Sequence, residues 1–74
     1  MESTSPNGVA HISLRQQQIV KLIADDLTAK EIGTRLGISP KTVEFHRVLI
    51  KKQLEVTGTA GIVRYAIRTG LIDP

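Results

Sequence analysis

Apolar residues recur along most of the chain at spacings of three and four positions, which is typical of helices that bury one face. The first such segment is predicted to begin at Ser13, because Ser13 and Gln16 can form a capping box in which each side chain bonds the other residue's amide. It is predicted to end at Asp25 and Asp26. Its predicted apolar stripe consists of Leu14, Ile19, Leu22, Ile23 and Leu27.

A second helix is predicted over residues 29–36, again preceded by a capping box. Thr28 stands at the N-cap position, and Glu31 follows three residues later. Gly37 comes after the last apolar position, where a glycine accepts the positive φ of a helix C-cap at little cost. The pattern therefore predicts a short helix that ends in a tight turn.

The third predicted helix spans residues 40–54. Ser39 is a favourable N-cap, and Pro40 suits the first helical position because its missing N–H would have no partner there. The side predicted to be buried carries Val43, Ile50 and Leu54, with His46 and Arg47 beside it.

A fourth helix is predicted over residues 60–69, with Thr59 as its N-cap and Gly70 after its end. It is apolar around much of its circumference, which is more than one core-facing stripe requires. No segment shows the sustained alternation of apolar and polar residues that favours a strand. The fold is therefore predicted to be all-α, with four helices.

Composition limits what this fold can contain. A chain of 74 residues forms one small domain, which we place at residues 13–74, with the polar residues 1–12 as a flexible tail. Cysteine is absent and the two histidines are far apart, so we predict neither a disulfide nor a metal site. No cofactor site is predicted, and no set of nucleophile, base or paired carboxylates indicates an enzyme.

The net charge is +3 and the isoelectric point is about 9.7, which weakly favours an anionic partner. No apolar run is long enough to cross a membrane. The N-terminus lacks the basic and apolar regions of a signal peptide. We therefore expect a cytoplasmic protein without membrane association.

The segment 29–43 meets several separate requirements of a helix-turn-helix. Gly33 is small, as it must be where the second helix crosses close to the first. The angle between the helices is expected to be filled by Ile32, Leu36, Ile38 and Val43. In this motif the second helix enters the major groove of DNA. The alternative is a simple helical corner in a small bundle.

The stretch LTAKEIGTRLGISPKTVEFHRVLIKKQLEV resembles the signature of LuxR/FixJ/NarL-type (GerE-like) bacterial transcription regulators, and VRYAIRTGLI resembles their fourth helix. The resemblance covers residues 13–72. It implies four helices, of which the third reads DNA and the fourth commonly pairs two subunits. The sequence departs from the family at Gln16–Gln18, where acidic residues are usual, and at Asp26 and Glu55, where glycine is common.

Most members of this family carry an N-terminal receiver or ligand-sensing domain, for which this sequence has no counterpart. We therefore expect either a truncated effector domain, as in response regulators, or a stand-alone regulator.

The outer side of residues 40–54 supplies the candidates for DNA contact. Candidate base contacts are Glu44, Phe45, Val48 and Arg47. A cytosine amine could donate to Glu44, thymine methyl groups could contact Phe45 and Val48, and a guanine or a phosphate could bind Arg47. Alternatively, Glu44 is a first-turn acid favoured by the helix dipole, and Phe45 is a core residue.

Phosphates are the second class of expected contact. The candidates are Lys30, Lys41, Thr42, Lys51, Lys52 and His46, together with the free amides of the second helix. The alternative is that the basic residues form only a solvated face.

One such helix makes too few base contacts for high specificity, so we expect a homodimer. The resemblance places the pairing positions at Ala60, Val63, Arg64 and Ile67, of which Val63 and Ile67 could instead belong to the core. A different interpretation is a module that docks RNA polymerase, and the basic face of residues 40–54 argues against it. The predicted function is sequence-specific binding of double-stranded DNA for transcription regulation.

Overall fold

The computed structural model describes residues 12–73, and over these residues it contains four helices and no strand. Helix α1 spans Leu14–Ala24, α2 spans Ala29–Leu36, α3 spans Pro40–Leu54 and α4 spans Thr59–Arg68. The all-α prediction is therefore confirmed. The predicted flexible tail, residues 1–12, lies outside the described residues apart from Ile12, which packs partly buried against the core.

The first three helices begin where their capping residues predict. At α1 the Ser13 hydroxyl accepts from the Gln16 amide at 3.0 Å, and the Gln16 side-chain oxygen accepts from the Ser13 amide at 2.9 Å. Thr28 and Glu31 form the same reciprocal pair at α2, at 2.8 and 3.1 Å. At α3 the Ser39 hydroxyl accepts an amide of the first turn. These bonds satisfy amides that a helix start leaves without intrahelical partners.

Helix α4 begins one residue earlier than predicted and has no side-chain cap. Gly58 is its N-cap, and Thr59 is the first helical residue instead of the cap. The Thr59 hydroxyl is engaged elsewhere, because it accepts a hydrogen bond from the Arg47 guanidinium. The helix ends at Arg68, and Thr69, which was predicted to be helical, is the C-cap residue.

An aliphatic core lies between the four helices. Helix α2 packs mainly against α3, whereas α1 packs mainly against α4 and also contacts α3. The core cluster consists of Ile19, Val20, Ile23, Ile32, Val43, Ile50, Ile62 and Ala66. Tyr65 is also buried; burial raises the pKa of its hydroxyl, and the nearby Arg68 lowers it in part. Every helix contributes to this core, so the orientation of each depends on the others.

The buried side of α1 differs from the predicted stripe at its start. Leu14 is 78% exposed, whereas Gln16 and Val20 are buried. At about 100° per residue, Leu14 lies about 180° around the helix from the buried Ile23, so the two cannot both face the core. Gln16 can be buried because its side-chain oxygen accepts the Ser13 amide.

Left-handed backbone follows each of the first three helices. It occurs at Asp26 with φ 67°, at Gly37 with φ 73° and at Glu55 with φ 57°. The predicted C-cap role of Gly37 is confirmed. Asp26 and Glu55 stand where glycine is common in the family that the sequence resembles. An L residue in this conformation costs roughly 1–2 kcal/mol, so both departures introduce strain into the helix connections.

Gly33 lies on the buried side of α2, where the following turn and the start of α3 approach it. A Cβ at this position would lie 2.5 Å from the Ile38 carbonyl oxygen and 3.3 Å from the Pro40 nitrogen. The Gly33 carbonyl also accepts the Ile38 amide at 3.0 Å, which closes the turn. These neighbours are backbone atoms and cannot swing aside, so the prediction that residue 33 must be small is confirmed.

Replacing Glu55 by glycine is expected to raise the free energy of unfolding by about 0.5–1 kcal/mol, because glycine adopts the left-handed conformation without strain but loses more backbone entropy on folding. Glu55→Ala is the matched control, since it removes the same carboxylate and keeps the Cβ. Urea denaturation of both variants measures the difference. Equal stability of the two variants would contradict strain at this position.

Gly33→Ala is expected to lower the free energy of unfolding by about 1–3 kcal/mol, because the new Cβ forces the turn away from α2. Thr34→Ala, on the exposed side of the same helix, is the control and should change it by less than about 0.5 kcal/mol. Unfolding midpoints that coincide for these two variants would show that the turn can move without cost.

Candidate nucleic-acid interface

Helices α2 and α3 are the two arms of a helix-turn-helix, joined by a short turn. The apolar residues predicted to fill the angle all contribute to the core: Ile32 and Val43 are fully buried, and Leu36 and Ile38 are partly buried. Further along α3, Ile50 is fully buried as well. One side of α3 is therefore fixed along most of its length, and the opposite side faces solvent.

The exposed side of α3 carries three of the predicted base-contact residues. Phe45 is 62% exposed and Val48 is 55% exposed, so both side chains lie outside the core. Glu44 is exposed beside them. The alternative interpretation of Phe45 as a core residue is therefore excluded. Phe45 and Val48 lie three residues apart on one helix, where they form an exposed apolar patch.

Hydrophilic residues flank this apolar patch along α3. Lys41 at the beginning of the helix and Lys52 near its end are exposed, and Lys51 is partly buried. The Thr42 hydroxyl lies 2.9 Å from the Ser39 hydroxyl at the helix start. Positive charge therefore lies at both ends of the patch, as a helix placed between two phosphate backbones requires.

The predicted capping box at the beginning of α2 limits the amides that are available to an anion. Lys30 is exposed there, as expected of a phosphate contact. However, the Glu31 amide donates to the Thr28 hydroxyl, and the Thr28 amide donates to the Glu31 carboxylate. Two amides at this helix start are thus already bonded, and a carboxylate lies beside them.

The Arg47 guanidinium is bound within the domain. Its Nε lies 3.3 Å from a carboxylate oxygen of Glu44, and its Nη2 donates to the Thr59 hydroxyl at 3.1 Å. The Arg47 side chain is 23% exposed, against 61% for Glu44. A side chain predicted to contact a base or a phosphate is thus held between α3 and the start of α4. Sequence reasoning did not find Thr59 as its partner, because no local pattern marks a contact across twelve residues.

His46 is partly buried next to this surface. Its Nδ1 atom is buried and has no hydrogen-bond partner among residues 12–73. Its ring lies near that of Phe45, with centroids 6.4 Å apart and planes tilted by 60°. A phosphate contact by His46 would have to use Nε2, since Nδ1 is closed off.

The predicted pairing residues lie together on the outer side of α4. Ala60, Arg64 and Ile67 are exposed, Ile67 to 38%, and Val63 is partly buried. The inner side of the helix buries Ile62 and Ala66 in the core. Helix α4 therefore has apolar residues on two sides, and the core covers only one of them.

Other kinds of site find no support in the part of the chain that the structure describes. It contains no group of three or more His, Cys, Asp or Glu side chains arranged to hold a metal ion. None of the helices within residues 12–73 combines the length and apolar character needed to cross a membrane.

Comparison with known proteins agrees with this geometry. The family model described as bacterial regulatory proteins, luxR family, matches residues 10–66. The transcriptional regulatory protein MctR of Rhizobium johnstonii is 43% identical over 66 residues, which are 89% of this chain and 31% of MctR. The transcriptional regulatory protein FixJ of Azorhizobium caulinodans is 32% identical over 63 residues, which are 85% of this chain and 30% of FixJ.

A third relative is an uncharacterized response regulatory protein of Escherichia coli, YgeK. It is 44% identical over 57 residues, which are 77% of this chain and 39% of YgeK. The chain thus spans about a third of the length of these curated relatives. The matched family is one of regulators and not an enzyme class, and it supports DNA binding and transcription regulation. With its helix-turn-helix and this match over most of its length, the chain belongs to the LuxR family of bacterial regulatory proteins.

Proposed function

We propose that this domain binds double-stranded DNA sequence-specifically, by inserting α3 into the major groove, and that it thereby regulates transcription. The observation that carries the proposal is the two-sided character of α3. Val43 and Ile50 fix its inner side in the core. Its outer side exposes Glu44, Phe45 and Val48 between lysines. A helix of this kind fits the width of the major groove with its outer side towards the base edges.

Direct base contacts come from residues 44–48, in the middle of α3. Glu44 accepts a hydrogen bond from the N4 amine of a cytosine, which is the base donor that a carboxylate suits best. Phe45 and Val48 contact thymine methyl groups, which removes their exposed apolar surface from water. Such contacts specify sequence, because each base pair presents a distinct pattern in the major groove.

Phosphate contacts hold the helix in place and supply most of the sequence-independent affinity. On α3 they come from the lysines at both ends of the apolar patch, from Thr42 and from Nε2 of His46. Lys30 on α2 adds a further cation on the other arm of the motif. Together these residues neutralise about four or five phosphates per subunit.

Two copies bind together through the outer side of α4. An isologous interface repeats the same patch on both subunits, so Val63 and Ile67 of one copy meet the same surface of the other. Arg64 brings a cation from each copy into this interface. Pairing is therefore weak in solution, and DNA with two half-sites about one helical turn apart strengthens it.

The affinity for a duplex of scrambled sequence is expected to fall with salt, with a log–log slope of about −4 per subunit. Lys52→Gln should reduce this slope by about one, whereas Lys21→Gln, on the exposed side of α1, should leave it unchanged. Fluorescence anisotropy across a salt series measures both effects. An affinity independent of salt would refute the proposal. No binding at low salt would favour a module that docks RNA polymerase instead.

Ile67→Ser is expected to convert binding of two copies on a palindromic duplex into binding of one, because it removes apolar surface from the outer side of α4. Leu14→Ser is the matched control, since Leu14 is also an exposed apolar residue but lies on α1. Sedimentation of the protein–duplex complex counts the copies. Finding a single wild-type copy on a palindromic site at saturation would refute pairing through α4.

A further inference from the structure

Arg47 links the base-reading part of α3 to the start of α4. Nε approaches Glu44 at 3.3 Å, and Nη2 donates to the Thr59 hydroxyl at 3.1 Å. A guanidinium is planar and rigid, so two contacts through different nitrogens fix its orientation as well as its position. Its side chain is 23% exposed, which leaves it little freedom to swing out.

Glu44 depends on this arrangement because its own surroundings do not restrain it. Its side chain is 61% exposed, and an exposed glutamate on a helix samples several rotamers. The contact with Arg47 ties one carboxylate oxygen to a cation three residues further along the helix and leaves the other oxygen available to a donor. It also offsets the repulsion between a carboxylate and the phosphates on both sides of the groove.

We infer that Arg47 is a positioning residue for base selection: anchored on the Thr59 hydroxyl of α4, it holds the Glu44 carboxylate in the orientation that accepts a cytosine amine. The inference rests on the proposed function, that α3 enters the major groove. It assigns Arg47 an indirect role instead of a base contact of its own. It also makes Thr59 a determinant of specificity, although Thr59 lies on another helix.

If Arg47 instead contacted a guanine directly, its side chain would have to adopt a different position. The guanidinium would have to leave both Glu44 and Thr59 to reach a guanine edge. Removing the Thr59 hydroxyl would then release Arg47 and preserve or strengthen a guanine preference. Under the positioning role, the same change weakens a cytosine preference. The Thr59 variant therefore separates the two mechanisms without altering any charge.

The test is a selection from duplex DNA with a randomised half-site, followed by anisotropy on pairs of duplexes that differ at one base pair. Glu44→Gln is expected to abolish the cytosine preference at one position of the half-site. That position is the one that Glu44 reads. Thr59→Val then removes the hydroxyl acceptor and keeps the shape of the side chain, whereas Thr59→Ser keeps the hydroxyl. Thr57→Val is the matched control, because Thr57 is an exposed threonine of the preceding loop.

Thr59→Val is expected to reduce the cytosine preference at that position by roughly two- to tenfold, the factor that one hydrogen bond of ordinary net strength represents. Thr59→Ser and Thr57→Val should keep the wild-type preference. Affinity for a scrambled duplex should not change in any of the three, which separates a loss of base preference from a general loss of DNA binding. Arg47→Lys, which keeps the charge but cannot bridge both partners, should reproduce the loss seen with Thr59→Val.

The inference is overturned if Thr59→Val selects the same half-site as the wild type. It is also overturned if Glu44→Gln changes no base preference, or if Arg47→Lys loses a guanine preference at another position. In both cases DNA binding through α3 persists, and in the first case the cytosine contact of Glu44 falls with the inference. A wild-type protein that binds no duplex at low salt overturns the proposed function, and the inference falls with it.

Discussion

The contact between Gly33 and the backbone of the turn holds the two arms of the motif together. A carbonyl oxygen and a proline nitrogen approach the position that a Cβ would occupy, so the start of α3 sits directly against α2. This close approach allows Ile32 and Val43 to share one core. It thereby determines which side of α3 is buried and which side is exposed. The surface at Glu44, Phe45 and Val48 exists because the opposite surface is committed to α2 and the core.

The free energy of unfolding of a domain of this size is small. A domain of this size has a stability on the order of a few kcal/mol, and one buried aliphatic side chain contributes about 1.5–3 kcal/mol. Left-handed backbone at Asp26 and Glu55 costs roughly 1–2 kcal/mol each, so the two strained connections together offset about one core side chain. The capping bonds at Ser13, Thr28 and Ser39, each worth about 1 kcal/mol, act in the other direction.

The outer side of α3 carries lysines at its ends and a short stretch of apolar and acidic residues between them. The lysines at its ends favour any polyanion, and this attraction carries no sequence information. In the proposed complex, discrimination between sequences comes from the short stretch between them, which is apolar at Phe45 and Val48 and acidic at Glu44. An acid in this position is unfavourable next to phosphates unless a cation accompanies it, and Arg47 lies within 3.3 Å. The same guanidinium donates to Thr59 of α4, so it connects the exposed side of α3 to the helix proposed to pair two subunits.

The local sequence determined the elements of this protein. Capping residues and apolar spacing act over three or four positions, so they were sufficient to predict the starts of α1, α2 and α3 and the turn at Gly37. The small residue at position 33 was predicted from the close crossing of the two helices that a helix-turn-helix requires. The exposure of Phe45 and Val48 was also predictable, because both lie away from the apolar seam of a regular helix.

Tertiary packing decided what depends on contacts between distant residues. Leu14 is apolar yet exposed, and Gln16 is polar yet buried, because the phase of α1 follows the core and the Ser13 amide satisfies the glutamine. Thr59 is of a residue type that is favoured at the N-cap position, but it is the first residue of α4 and binds Arg47 twelve positions away. A local pattern specifies which residues form a helix. Which neighbour each side chain meets is decided only when the helices pack, since that packing brings α3 and α4 together.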